Sequence, residues 1–454
     1  MILAVDLGTC SLKAGLLSFD GDLKHRIRVP YSNSPVLKPP GFDPLQWEWA
    51  FREALKRLPA NRIAAVAISG NGPSLVACDG QGVPLTSALL WLQNDGKRIE
   101  GTESFYLPKA ASLKAYDGGT VLKKARWLLS PPEWLQFRLT GRPTMTIPHE
   151  SFRPYVWTPS QIDAYGLEER LFPEIVTMGT IIGEVSREPG ALSGLLEGVP
   201  VVSVGTDYMA ALLGSGTAAP GMVCDRAGTS EGINYCTEIP SGDPRIRDLP
   251  HLVEGLWNAA IILASTGTVF EWYRRLTGQE HKPYEVTLSE VDELMPGGRE
   301  PLFFPSRLED VFWVFTGGSL HRLEPGHGPA QIGRAVMESI GYGVRRGIEI
   351  LESAGMKVEE MRVTGGQARG DVWNQMKADI TGCRLIIPEI EDAELAGCAA
   401  CALSALRFVD NPLEGADLFV RTRKIVEPRR EFHECYDTAY ARYWDAAAAL
   451  GYSA

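Results

Sequence analysis

The sequence predicts an α/β protein of two domains, each a mixed sheet flanked by helices. Two strand-turn-strand segments of one kind, AVDLGTCSLKAG at Ala4–Gly15 and CDRAGTSEGINYCT at Cys224–Thr237, stand at matching places in the two halves of the chain, as a duplicated fold would place them. Apolar runs of strand length lead through glycine bends into helical segments, as at Val201–Leu213 and Met361–Gly382. At 454 residues the chain holds two or three domains with full cores, of which two are preferred, and 44% hydrophobic with 22% charged residues is ordinary for a globular protein.

In chain order, Ile2–Leu7 reads as a buried strand, Gly8-Thr9 as a tight bend, and Leu12–Phe19 as a second strand ending at the turn pair Asp20-Gly21. Gly8 lets the backbone approach a ligand, and Thr9, Cys10 and Ser11 offer amides and two hydroxyls to phosphate oxygens. Asp6 has the chemistry to hold a hydrated magnesium ion, and Lys13 supplies positive charge. The loop is not a Walker A, because no G-x-x-x-x-G-K-[ST] follows the strand; an ordinary hairpin is the alternative. The proline-rich segments Pro30–Pro44 and Pro131–Pro159 read as lid or substrate-side insertions, or as exposed turns.

Val201–Val204 then leads through Gly205-Thr206 into Asp207, and Tyr208–Leu213 has helical character. A carboxylate in the first turn of a helix is kept ionised by the macrodipole, so Asp207 is suited to accept a hydrogen bond from a hydroxyl and take its proton late in phosphoryl transfer. A plain helix cap is the alternative. Pro220-Gly221 marks the boundary between an N-terminal domain, 1–219, and a C-terminal domain, 222–454.

Gly228-Thr229 repeats the first bend. Met361–Gly382 reads as a short strand, a break at Gly365-Gly366, and a helix with Val372, Trp373, Met376 and Ile380 on one face; a Gly-Gly at a helix entrance lets a flat ring or a phosphate approach the backbone. Cys398 and Cys401 lie in the alanine-rich run GCAACALSAL, where small-residue helix packing is preferred over metal binding. The charged tail after Phe419, with Arg421, Arg423, Lys424, Arg429 and Arg430, reads as a solvated terminal helix.

The order of these motifs, an aspartate hairpin, a Gly-x-Asp segment, a second Gly-Thr-Ser hairpin and a late Gly-Gly helix, resembles the FGGY family of carbohydrate kinases from Met1 to about Phe408. QIGRAVMESIGYGVRRGIEIL at Gln331–Leu351 is similar to the family's long helix after the second signature region. The resemblance implies two actin-like ATPase (ribonuclease H-like) domains with a nucleotide cleft between them, the first on the sugar and phosphate side and the second on the nucleotide side. It implies ATP and Mg2+ as cofactors and in-line transfer of the γ-phosphoryl group to a primary hydroxyl, with positioning and charge neutralisation supplying most of the rate. By position it makes Asp6 the organiser of magnesium, Asp207 the catalytic base, Thr9, Cys10, Ser11 and Lys13 the first phosphate loop, and Gly228 and Thr229 the second. Gly267 in STGTVFEW matches a nucleotide-contacting glycine, and Gly365, Gly366 and Gly370 fall in the adenosine motif.

The acceptor side departs from familiar members. After the strand AAVAIS, where xylulose kinases carry Gln-Met-His-Gly and glycerol kinases Gln-Arg-Glu-Thr, this chain has Asn71-Gly72-Pro73-Ser74. A second pocket element, a Trp followed by Asn-Asp or Asp-Arg, is matched by Trp91, but Asn94 and Asp95 stand two positions late unless Gln93 takes their role. Asn71, Gly72, Trp91 and Asp207 are the expected acceptor residues. A pentulose such as xylulose or ribulose is favoured on overall likeness, with glycerol or another polyol, or an ATP-binding regulatory protein without turnover, as alternatives. Phosphorylation of a carboxylate would need cationic groups in the acceptor pocket, and none are evident around Asn71 or Trp91.

A net charge of −11 argues against nucleic-acid and anionic-membrane partners, so the expected partner is a small sugar or polyol, with a homodimer left open as the assembly. The N-terminus enters a strand at once without a basic flank, and the most apolar stretch, Ala259–Ala264, is too short to span a bilayer. Eight scattered cysteines point to reduced thiols and a cytoplasmic protein, and seven histidines without ligand spacing make no case for zinc.

Overall fold

The computed structural model describes residues 1–32, 42–59, 62–91, 93, 96–116, 118–186, 196–294, 301–305, 315 and 317–451; most of the proline-rich segment after Pro30, and both Asn94 and Asp95, lie outside the described residues. The chain forms two units, one of Met1–Gly216, Leu252–Glu254 and Ala393–Val420, the other of Thr217–His251, Gly255–Asp392 and Arg421–Ala454.

The first unit is built on a six-stranded sheet. Its strands are β1 (Ile2–Leu7), β2 (Ser11–Leu17), β3 (Leu23–Pro30), β4 (Ala65–Gly70), β5 (Ile181–Glu184) and β6 (Pro200–Thr206), in the order β3-β2-β1-β4-β6-β5. β1, β4 and β6 are parallel and the outer strands antiparallel. Covered on both faces, β1 and β4 are buried throughout, which is why they read as unbroken apolar runs. Strand alternation sends Leu3, Val5 and Leu7 into the core beneath helices α1 (Leu45–Arg57) and α2 (Pro131–Thr140), which meet through Trp47 and Trp134, ring centroids 6.1 Å apart. The proline-rich start of 131–159 is therefore a core helix with Pro131 in its first turn, where the missing amide costs nothing, and not an insertion.

The opposite face of that sheet receives Asp6 from β1 and Ser69 from β4, and α3 (Asp207–Gly214) packs with α7 (Ala393–Ala405) on this unit. The alanines and glycines of α7 let two backbones touch: a Cβ on Gly397 would stand 2.0 Å from the carbonyl oxygen of Ala210, and one on Gly214 would stand 1.9 Å from that of Ala393. Such contact is closed to any larger residue, and Cys398 and Cys401 are buried free thiols in the same packing.

The second unit repeats the strand plan. β7 (Val223–Ala227), β8 (Glu231–Thr237), β9 (Arg247–Pro250), β10 (Trp257–Leu263), β11 (Glu360–Thr364), β12 (Arg384–Pro388) and β13 (Thr422–Val426) run in the order β9-β10-β8-β7-β11-β12-β13. Apart from the added β9, the order and the parallel or antiparallel sense of each pair match the first sheet. The helices are α4 (Thr266–Leu276), α5 (Pro329–Ser353), α6 (Asp371–Thr381) and α8 (Arg430–Ala449). Where the tail was expected to be one solvated helix, Thr422–Val426 is an edge strand. Its charges face solvent because the edge is uncovered, and charge there discourages pairing with another chain. α8 is not merely solvated either, since Tyr436, Tyr440 and Tyr443 enter the core.

Candidate active site

In the first unit the carboxyl ends of three parallel strands collect polar residues, the edge at which open α/β sheets bind ligands. Asp6 stands one residue before the end of β1, opposite Ser69 on one side and Lys13 on the other. It is 2% exposed; the Ser69 hydroxyl donates to its Oδ1 at 3.0 Å, and Lys13 Nζ lies 3.9 Å from its Oδ2. Lys13 is closer to Glu394, in the first turn of α7, at 3.3 Å. Burial, with the charge of Glu394 behind it, pushes the Asp6 carboxyl up to about 7 against the opposing pull of Lys13; Asp207 adds to the rise. Asp207 is thus within electrostatic reach of Asp6. It is half-buried, and it opens α3 directly after Thr206 ends β6.

The Gly8–Ser11 bend is shaped by its surroundings. A Cβ on Gly8 would meet the Ser11 carbonyl oxygen at 3.0 Å. The Ser11 hydroxyl accepts from Arg28 Nε at 2.9 Å, the Cys10 carbonyl accepts from the Tyr31 amide at 3.1 Å, and the Thr9 hydroxyl accepts from the Trp91 indole at 3.0 Å. The two segments assigned by sequence to phosphate and acceptor are therefore tied by Trp91. Asn71 is buried, donating from Nδ2 to the Leu7 carbonyl at 2.9 Å and accepting from Ser74 Oγ at 2.5 Å, while Ser74 Oγ accepts from the Trp91 amide at 2.9 Å. Its amide shapes the loop from within. Gly72 precedes a cis proline, and a Cβ there would stand 2.4 Å from Thr206 Cγ2.

In the second unit the same carboxyl edge carries the glycine segments. The β7–β8 hairpin turns at Gly228-Thr229-Ser230, with the Gly228 amide donating to the Ser230 carbonyl at 2.8 Å. Gly267, in the first turn of α4, packs on this tip: its Cβ would stand 2.1 Å from the Gly228 carbonyl oxygen, and the Thr268 amide donates to the Thr229 carbonyl at 3.2 Å. Gly365 follows β11 with φ +85° and ψ −166°, and a Cβ there would stand 2.5 Å from the Ala227 carbonyl oxygen. Gly366 begins a turn of 3-10 helix, where a Cβ would meet no described residue within 4 Å, and Gly370 caps α6.

The structure thus gathers Asp6, Thr9, Cys10, Ser11, Lys13, Asn71, Gly72, Trp91 and Asp207 in one unit and Gly228, Thr229, Gly267, Gly365, Gly366 and Gly370 in the other. Ser69 and Glu394 were not anticipated. Ser69 carries a faint signal, a polar residue at the end of an apolar strand run; Glu394 has no motif, and only folding brings α7 beside β1.

Asp6 and Glu394 flank Lys13, and Asp207 acts electrostatically on Asp6, so carboxylates outnumber the lysine at this edge of the first unit, which suits a divalent cation. Among the described residues no three His, Cys, Asp or Glu side chains form a cage for an ion. The buried Asp6 carboxylate fits magnesium, which keeps most of its waters and takes remaining oxygens from phosphates. Among the described residues no helix is long and apolar enough to cross a membrane.

Comparison with known proteins gives concordant matches. The model of the FGGY family of carbohydrate kinases, N-terminal domain, matches residues 117–214, and that of the C-terminal domain matches residues 226–406. An autoinducer-2 kinase of Yersinia enterocolitica is 25% identical, covering 98% of this chain and 93% of its own length. A xylulose kinase of Escherichia coli is likewise 25% identical, covering 95% of this chain and 97% of its own. The crystal structure of a xylulose kinase from Rhodospirillum rubrum superposes with a TM-score of 0.76 at 21% identity, over 99% of this chain and 98% of that one.

Proposed function

The chain belongs to the FGGY family of carbohydrate kinases and is a sugar kinase of actin-like ATPase (ribonuclease H-like) fold, and we propose that it transfers the γ-phosphoryl group of ATP to a hydroxyl of a pentulose such as xylulose. The observation that carries the assignment of roles is the placement of Asp207 in the first turn of α3, on the carboxyl edge of the sheet that holds Asp6, near enough for the two charges to act on each other.

Asp207 accepts the hydrogen bond of the acceptor hydroxyl and takes its proton as the bond to phosphorus forms. The helix macrodipole favours its charged form for that task. Asp6, held by Ser69, is the residue that would hold Mg2+ through its waters, and the ion, when bound, neutralises charge on the transferred phosphate. Lys13 and the amides of Thr9, Cys10 and Ser11 orient the phosphoryl group, and Trp91 holds the Thr9 hydroxyl in place. Gly228, Thr229 and Gly267 receive the remaining phosphates, and Gly365, Gly366 and Gly370 receive the adenosine. Asn71 and Gly72 set the wall of the acceptor side by shaping the loop rather than by reaching for the sugar.

A second acceptor, autoinducer-2, is supported by relatives of that name that match as well as the xylulose kinases do. Release of ADP measured in a coupled assay with D-xylulose, D-ribulose, glycerol, gluconate and autoinducer-2 separates these. Greatest kcat/KM with a pentulose supports the proposal. Greatest kcat/KM with autoinducer-2 replaces it with the second reading, and preference for glycerol or gluconate refutes both.

A further inference from the structure

The second unit buries a group of charges that phosphoryl transfer does not call for. Lys377 Nζ, from the middle of α6, donates to Asp225 Oδ2 at 2.5 Å and to Glu231 Oε1, and all three side chains are at most 2% exposed. Asp225 lies on β7, two residues before its end, and Glu231 is the first residue of β8. Ala227 pairs with Glu231 and Asp225 with Ile233, so strand alternation puts Asp225 and Glu231 on one face of the hairpin, diagonal to each other. The two carboxylates therefore flank the base of the turn Gly228-Thr229-Ser230. Their common lysine rides on the helix that Gly370 opens and that follows Gly365 and Gly366.

Such a triad is a poor device for stability. Removing three charged groups from water costs more than their attraction returns, and apolar replacements of like volume are often neutral or stabilising. What it does supply is register. A slip of β8 by one residue would carry Glu231 to the opposite face of the sheet, leaving Lys377 with one carboxylate and a second buried without a cation. With the register fixed, the turn between the paired residues Ala227 and Glu231 is three residues long, and its amides hold one position relative to Gly365, whose α-carbon lies against the Ala227 carbonyl. Burial, followed by the charge of Asp225, pushes the Glu231 carboxyl up to about 8 against the opposing effect of Lys377.

We propose that Lys377, gripping Asp225 and Glu231, is a positioning residue that fixes the Gly228–Thr229 loop against the Gly365–Gly370 turn for nucleotide binding. The inference rests on the nucleotide-side reading of those glycines, and its test keeps the two separable. Affinity for MgADP is measured by calorimetry, which needs no acceptor, alongside the melting temperature. Glu231→Gln keeps an oxygen for Lys377 and holds MgADP within about twofold of the parent. Glu231→Ala leaves Lys377 paired with Asp225, so the fold is kept while the base of the turn is freed, and the Kd for MgADP rises about fivefold, equivalent to about 1 kcal/mol. The charge-free combination Asp225→Asn, Glu231→Gln and Lys377→Met gives the same or a larger rise with little change in melting temperature. If that combination fails to fold, Glu231→Ala alone decides.

Gly366→Ala is the reference, because among the described residues its added methyl meets nothing, so a weakened MgADP affinity reports nucleotide lying there. Should Gly366→Ala weaken MgADP while Glu231→Ala leaves it unchanged, or should Glu231→Ala lower the melting temperature without touching affinity, the positioning role is overturned and the nucleotide-side reading stands. Unchanged affinity in Gly366→Ala overturns the nucleotide-side reading and the inference with it.

Discussion

The adjacent glycines at the end of β11 permit a test in which one methyl group asks two different questions. Gly365 combines φ +85° with ψ −166°, a region held almost only by glycine, and a side chain there costs about 1–3 kcal/mol in backbone strain. Its Cβ would also stand 2.5 Å from the Ala227 carbonyl oxygen, and relieving that overlap against a β-strand costs about another 1–3 kcal/mol. Together, at about 2–4 °C per kcal/mol for a unit of this size, Gly365→Ala lowers the melting temperature by on the order of 10 °C. Gly366 starts a helical turn and its Cβ would meet no described residue within 4 Å. Alanine there removes backbone freedom from the unfolded chain, about 0.4–1 kcal/mol in favour of folding, so Gly366→Ala melts at or slightly above the parent. If adenosine lies on this turn, the same methyl takes its space and the Kd for MgADP rises about tenfold, equivalent to about 1.4 kcal/mol. Calorimetric melting and MgADP titration of both variants check this. Equal melting temperatures in the two would refute the strain argument, and MgADP affinity equal to the parent in Gly366→Ala would refute the adenosine assignment.

Other consequences follow from the same geometry. Gly397→Ala drives a methyl into the Ala210 carbonyl and lowers stability by about 1–3 kcal/mol, read as a drop in melting temperature, whereas Cys398→Ala costs about 1 kcal/mol and chelators leave the parent's melting unchanged. Trp91→Phe removes the indole bond to Thr9, and kcat/KM falls about fivefold, equivalent to about 1 kcal/mol, with little change in melting. Asp6 and Glu231 have folded-state pKa values raised from 3.8 to about 7 and from 4.5 to about 8. The folded protein therefore holds protons that the unfolded chain releases, so the stabilisation is full below their unfolded values and is lost as pH rises through about 7 and about 8. In magnesium-free buffer the melting temperature falls over that range, and Glu231→Gln flattens the part of the fall nearest the upper end.

Much of the fold lay open in the sequence for a physical reason. Central parallel strands are buried on both faces and so are apolar at every position, as Ile2–Leu7 and Ala65–Gly70 are, and the bends after them need glycine. The hairpins of the two halves announced the duplication that the matching strand orders display. What stayed hidden depends on contacts distant in sequence. That α7 belongs to the first unit, although more than 170 residues separate it from α3, is set by glycine and alanine contacts between two helices. Glu394 reaches Lys13 only because of that packing, and local pattern carries no trace of it. The edge strand Thr422–Val426 was obscured because an uncovered strand shows charges on both faces, as a solvated helix does. The Asn71–Ser74 loop stood out as a departure on the acceptor side, but that its buried amide is engaged by Leu7 and Ser74 is something no spacing rule reveals.

The proposed activity turns on Asp207 as the base that receives the hydroxyl proton, and Asp207→Asn tests that role most directly. Acceptor-dependent ADP release should fall about 10²–10⁴-fold in kcat, the usual worth of a general base, while the Kd for MgADP stays within about twofold of the parent. An asparagine variant that turns over within about tenfold of the parent would contradict it.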